Sequence, residues 1–195
     1  MLILKKAIDS LKSEEMTLWL SRIPEKKRNE ITAYRNIDDR KRSVCGYILA
    51  VKGLGEFLGR DENEITIAYD DNGKPVYDGA FLSIAHAGNF ALCAVSGTPV
   101  GIDAEVFRRV SPKAALRFCT KNELLYIFGN DFDGEIPQKA DDEVTLRFLE
   151  IWTKKEAYGK MLGCGTLYDM KNTDVSHIKT MRDGDLIISV TEKEK

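Results

Sequence analysis

The hydrophobic period of this 195-residue chain switches from helical to alternating and back again, which leaves few architectures open. Residues 11–35 read as helical with an interruption near Pro24. A stronger helix is expected over 38–58, where Val44, Tyr47, Ile48, Val51 and Leu54 recur on one face and Gly55 and Gly59 lie near the end. ITIAYD (65–70), FLSIAH (81–86), FALCAVSG (90–97) and VGIDAE (100–105) then read as strands, and DDNGKP (70–75) as a turn. Helical spacing returns over 111–128, opened by Ser111-Pro112, and again over 143–162, ending near Gly163. The acidic stretch 129–143 between them reads as a loop. DLIISVTE (185–192) is a last strand. The second half thus loosely repeats the first, with its seam at 100–105. The expectation is an α+β protein of two similar halves, 1–100 and 101–195. Each would pack helices on a small antiparallel sheet.

Composition removes several classes. A net charge of -2 gives no general attraction to nucleic acid or anionic membrane. No apolar stretch approaches the roughly 18–20 residues of a spanning helix, and MLILKKAIDS is too short and wrongly flanked for a signal peptide. Cys45, Cys93, Cys119 and Cys164 form no CxxC pair, so zinc is not expected and reduced thiols in the cytoplasm are. DFDGE (131–135) has its glycine too early for a calcium loop. GCG (163–165) lacks the Lys-Ser/Thr of a phosphate loop and reads as a helix end.

Two segments carry chemistry. Asp103 and Glu105 stand two apart on an expected strand, so both carboxylates share a face. Like charges that close repel unless a cation or strong donors separate them, and magnesium suits the arrangement. A solvent-facing strand end is the alternative. On the 143–162 helix, Phe148, Ile151, Trp152 and Leu162 form an apolar stripe, and Lys155 falls inside it. A buried lysine needs a partner. Glu156 borders the stripe, and Lys160 is four residues further on the same side. A snorkelling Lys155 and a surface Glu156–Lys160 pair are the alternative. Together the segments suggest three carboxylates on a metal, with lysines near a phosphate-rich ligand.

VGIDAE paired with WTKKEAYGK (152–160) resembles the two-part signature of the 4'-phosphopantetheinyl transferases of the surfactin-synthetase-activating (Sfp) type. GKPV (73–76) resembles the family's Gly-Lys-Pro turn. FLSIAHAG (81–88) is similar to its Phe-Asn-Ile-Ser-His-Ser-Gly strand, and ALRFCTKNE (115–123) to its Ala-x-Arg-Phe-Phe-x-x-x-Glu helix. The likeness spans residues 20–170 or so.

The resemblance implies transfer of the phosphopantetheine arm of coenzyme A to a serine of an acyl, peptidyl or polyketide carrier protein, releasing adenosine 3',5'-bisphosphate. It implies an active site in the cleft between the two halves, with magnesium on Asp103, Glu105 and Glu156. Glu156 would be the base for the serine hydroxyl, directly or through a metal-bound water, and Lys160 would stabilise the leaving α-phosphate. Lys155 would also face the phosphates. Lys74 and His86 would contact coenzyme A around the adenine and phosphates, although a neutral core histidine is the plain reading of His86. Arg42, with Lys26 and Arg28, would meet the 3'-phosphate, against the alternative of a solvated helix face. A monomer is implied, since both parts of the site lie in one chain. Ala85 replaces the family's serine before the histidine, Ala104 stands where a larger apolar residue is common, and the second sheet is expected to be one strand short.

Two other classes fit the sequence less well. A catalytically silent coenzyme A- or carrier-binding module would lack a carboxylate, and all three are present. A nucleic-acid binder built on 25–43 would need a basic balance and interleaved aromatics, and that stretch holds only Tyr34.

Overall fold

The structure is a computed structural model that describes residues 1–164 and 168–194. Strand β1 (Leu2–Ala7) opens the chain and is followed by helices α1 (Ser13–Arg22), α2 (Glu25–Ala33) and α3 (Ile37–Leu58). Pro24 separates α1 from α2, and the Asn36 side chain caps α3 by accepting from the Asp38 N–H. The short pair β2 (Ala68–Tyr69) and β3 (Pro75–Val76) brackets the 70–75 turn. Hairpin β4 (Phe81–Ala87) and β5 (Phe90–Ser96) follows, turning at Gly88 with φ +50. Then come β6 (Val100–Val106), α4 (Lys113–Phe118), α5 (Lys121–Phe128), α6 (Asp142–Leu162), β7 (Lys179–Asp183) and β8 (Leu186–Glu192).

The repeat suggested by the sequence is topological. The first main sheet has the order β1-β5-β4 and the second β6-β8-β7, both antiparallel. In each, the opening strand pairs with the closing one and the middle strand lies outside. The second sheet therefore matches the first strand for strand.

Alternation along the strands assigns each face. On β5, Ala91, Cys93 and Val95 join the core under α3, while Leu92 and Ala94 face the second sheet. On β6, Val100, Ile102 and Ala104 face the first sheet, where alanines Ala85, Ala87 and Ala94 let the two sheets approach closely. Gly101, Asp103 and Glu105 therefore point the other way, toward α6. A β-carbon on Gly101 would lie 1.8 Å from the Ala157 carbonyl oxygen, so only glycine lets α6 seat on this strand.

Several expectations change. β1 was read only as a short apolar run, and it is the counterpart of β6. Of ITIAYD, only Ala68–Tyr69 pairs, although Ile65 and Ile67 are buried. The single helix expected over 111–128 is two. Thr120 begins α5 with a capping box in which its side chain accepts from the Glu123 N–H and Glu123 accepts from the Thr120 N–H. Gly163 ends α6 in a left-handed turn (φ +76), and Gly165 lies outside the described residues.

Candidate active site

The face shared by β6 and α6 carries the carboxylates. Asp103 is buried, and its carboxyl accepts from the Lys160 ammonium at 2.7 Å. Glu105 meets Arg108 at 3.4 Å. Glu156 reaches the same region from α6. Burial raises the Asp103 carboxyl above the usual range, Lys160 opposes this, and the Glu105 charge adds to it. Burial raises Glu156 as well, reinforced by Asp103 and Glu105 and opposed by Lys160. The three acids are thus electrostatically coupled.

This donor set suits magnesium in kind, being all oxygen and rich in negative charge. It is not gathered into a closed cluster: among the described residues no three such side chains stand close enough to hold an ion. Lys160 instead occupies one oxygen of Asp103. Magnesium usually keeps several waters and takes only one or two carboxylates directly, so the looser arrangement still fits it.

Beside the acids lies a cavity of about 720 Å³, a volume typical of cofactor sites. Elements of the first half form most of its wall, and the C-terminal turn of α6 closes it. Lys27, Arg42, Lys74 and Lys160 supply positive charge, and Tyr34, Tyr47 and Tyr69 supply aromatic surface. Arg42 is held by donating to the Gly88 carbonyl (2.7 Å) and to Asp39 (2.6 Å). Lys74 donates to the Lys160 carbonyl at 2.7 Å, tying the 70–75 turn to the end of α6. Burial lowers its ammonium pKa. His86 opens onto the cavity, but the surrounding protein and the Lys160 and Arg42 charges push it down to about 4, despite a hydrogen bond with the Arg42 backbone. At neutral pH it is an uncharged imidazole. Gly46 of α3 gives its ring room, since a β-carbon there would lie 3.0 Å from Nε2.

The structure therefore brings Arg42, Lys74, His86 and Lys160 to one cavity, with Asp103, Glu105 and Glu156 beyond Lys160. It does not bring Lys26 or Arg28 there; the cavity takes Lys27 from the same stretch. The signal was present in the sequence. Lys27 is four residues before Ile31, which is buried, so both share the inward face of α2. Tyr69, over whose ring Lys27 lies at 5.3 Å, was also missed. Ala85 faces the second sheet and not the cavity, while Ser83 lines the cavity and accepts from the Ile102 N–H at 3.1 Å.

Lys155 is corrected. Its side chain is 0% exposed, it pairs with Glu123 at 3.0 Å, and it donates to the Met170 and Thr173 carbonyls at 2.6 and 2.8 Å. The stripe position gave its burial correctly. The partner is a carboxylate on α5, and the ammonium is turned away from the cavity.

Comparison with known proteins covers nearly the whole chain. Residues 10–98 match a family model described as 4'-phosphopantetheinyl transferase, N-terminal, and residues 99–194 one described as 4'-phosphopantetheinyl transferase superfamily. The 4'-phosphopantetheinyl transferase gsp of Aneurinibacillus migulanus is 31% identical over 146 residues, 74% of this chain and 58% of that protein. The transferase Sfp of Bacillus subtilis is 26% identical over 185 residues, 93% of this chain and 77% of its own length. HetI of Nostoc is 29% identical over 180 residues, 80% of this chain and 72% of its own length. Two adjoining matches to models of this transferase group and these relatives agree: the chain belongs to the 4'-phosphopantetheinyl transferase superfamily, on the Sfp-type side.

Proposed function

We propose that this protein transfers the 4'-phosphopantetheine arm of coenzyme A to a serine of an acyl, peptidyl or polyketide carrier protein. The observation that carries the reading is the cation-lined cavity joined, through Lys160, to a group of three coupled carboxylates. The cavity suits an anionic nucleotide, and the carboxylates suit the magnesium that accompanies pyrophosphate chemistry.

Asp103, Glu105 and Glu156 would hold the magnesium, which supplies neutralisation of pyrophosphate charge when bound. Glu156, on the face of α6 that meets Asp103 and Glu105, takes the proton from the carrier serine. The serine oxygen forms a bond to the β-phosphorus as the bridging bond to the α-phosphate breaks. Lys160 meets the charge that appears on the released adenosine 3',5'-bisphosphate. Arg42, Lys74 and Lys27 bind the nucleotide, and neutral His86 contributes hydrogen bonding without charge. Lys26 and Arg28 do not line the cavity and act on the ligand only by longer-range attraction. A cytoplasmic monomer fits four free cysteines and a site whose parts all lie in one chain. No helix among the described residues is long and apolar enough to cross a membrane.

Incubation with apo-carrier, coenzyme A and magnesium, followed by intact mass measurement, should show the carrier gaining one phosphopantetheine. No gain across fatty-acid, polyketide and peptide carriers, with folded protein, would overturn the reading. The cavity wall gives a finer expectation. Lys27→Ala should weaken coenzyme A binding about tenfold, the scale of one charged hydrogen bond, while Lys26→Ala changes it little. Calorimetric titration of both variants checks this, and equal effects would return the 3'-phosphate to Lys26.

A further inference from the structure

Lys160 touches both parts of the site. Its ammonium stands 2.7 Å from Asp103 Oδ1 and 3.4 Å from the Ile84 carbonyl, and the same side chain lines the cavity. The contact with Asp103 is enclosed, with the two side chains 29% and 12% exposed. A second cation near these acids, Arg108, meets Glu105 at 3.4 Å but is 58% exposed. Lys160 is therefore the enclosed counter-charge of this carboxylate group. It holds a lone pair of Asp103 that a divalent cation would also use. Its backbone is fixed, because Lys74 donates to its carbonyl. Its side chain can swing without moving the helix.

We propose that Lys160 is the resident counter-ion of the carboxylates, that a divalent cation displaces it from Asp103, and that the freed ammonium turns to the phosphates in the cavity. This rests on the reading of Asp103, Glu105 and Glu156 as the cation's ligands. One side chain then couples the two binding events: the cation that satisfies the acids also delivers a lysine to the anion, and an anion that captures the lysine vacates Asp103 for the cation.

The probe is manganese, whose free ion is counted by electron paramagnetic resonance in titrations of metal-free protein without nucleotide. Lys160→Met should bind manganese about tenfold more tightly than the wild type, the scale of one competing charged hydrogen bond. Arg108→Met, which removes an equal charge at the rim, should change affinity by less than about threefold, as exposed pairs do. Equal tightening in both variants would overturn the proposal, since bulk charge would then explain it. Unchanged affinity in Lys160→Met overturns it too. Failure of the wild type to bind manganese, with Asp103→Asn no different, would remove the metal reading itself, which is a distinct result. A second measurement compares the wild-type protein without and with metal and does not use the Met variant. The Lys160 ammonium resonance, assigned by its loss in Lys160→Arg, should be protected from exchange without metal and lose protection at saturating magnesium. Persistence of that signal would overturn displacement even if the Met variant fails to fold.

Discussion

Glu156→Gln should lower the turnover of phosphopantetheine transfer about a thousandfold and leave the fold intact. General-base catalysis is worth roughly 10²–10⁴ in rate, and here the same carboxylate is also a proposed cation ligand. Glutamine keeps the size but can neither accept the serine proton nor contribute charge to the ion. The stability side has the opposite sign. Burial and the Asp103 and Glu105 charges raise the Glu156 carboxyl, so the folded state disfavours its charged form. A group raised in this way stabilises the fold below its unfolded pKa and loses that contribution as pH rises through the folded value. At neutral pH, Glu156 therefore strains the fold, and glutamine relieves the strain. Thermal unfolding of metal-free protein should show a midpoint equal to or above the wild type, together with the collapse in turnover. Near-normal turnover would mean that neither the base nor the ligand is Glu156. A lower midpoint would mean that the residue is structural.

The site's acids were legible because strand and helix periods report facing directly. Alternation put Asp103 and Glu105 together, and the apolar stripe of α6 put Glu156 and Lys160 at its border. The partners were not legible, because they depend on contacts between distant segments. β1 pairs with β5 some ninety positions away, in a register that runs Leu2↔Val95 to Ala7↔Phe90, and nothing inside LILKKA announces it. ITIAYD has the alternation of a strand because Ile65 and Ile67 are buried, but most of it finds no neighbouring strand. The break between α4 and α5 was readable in Thr120-x-x-Glu123, a capping-box pattern submerged in continuous helical spacing. Glycine stands at position 101 because of a local close approach, not because of the repeat, since β1 has no glycine. β6 meets its long helix backbone to backbone, and that contact fixes where Glu156 stands relative to Asp103.

Lys155→Met should destabilise the protein by roughly 3–5 kcal/mol, the range for breaking a buried ion pair from one side. Its ammonium satisfies Glu123 and two backbone carbonyls, Met170 and Thr173, in a site closed to solvent. Removing it leaves Glu123 charged in the interior, with Oε1 already lacking a hydrogen-bond partner among the described residues. The Thr120 N–H, which donates to Glu123 Oε2 at 2.7 Å, then remains its one donor among the described residues. For a chain of this size the loss lowers the melting midpoint by about 10 °C or more. Adding Glu123→Gln should recover a substantial part of that loss, because glutamine still accepts the Thr120 N–H and brings no charge into the interior. The double-mutant cycle gives the coupling directly. The same variants decide between the two roles for Lys155. A lysine facing the cofactor would leave the melting midpoint near the wild-type value and raise the KM for coenzyme A in Lys155→Met, and Glu123→Gln would rescue nothing. A lysine that clamps α5 and the 170–173 segment to α6 gives the reverse: a large loss of stability, partial rescue by the second substitution, and a KM little changed in whatever fraction remains folded.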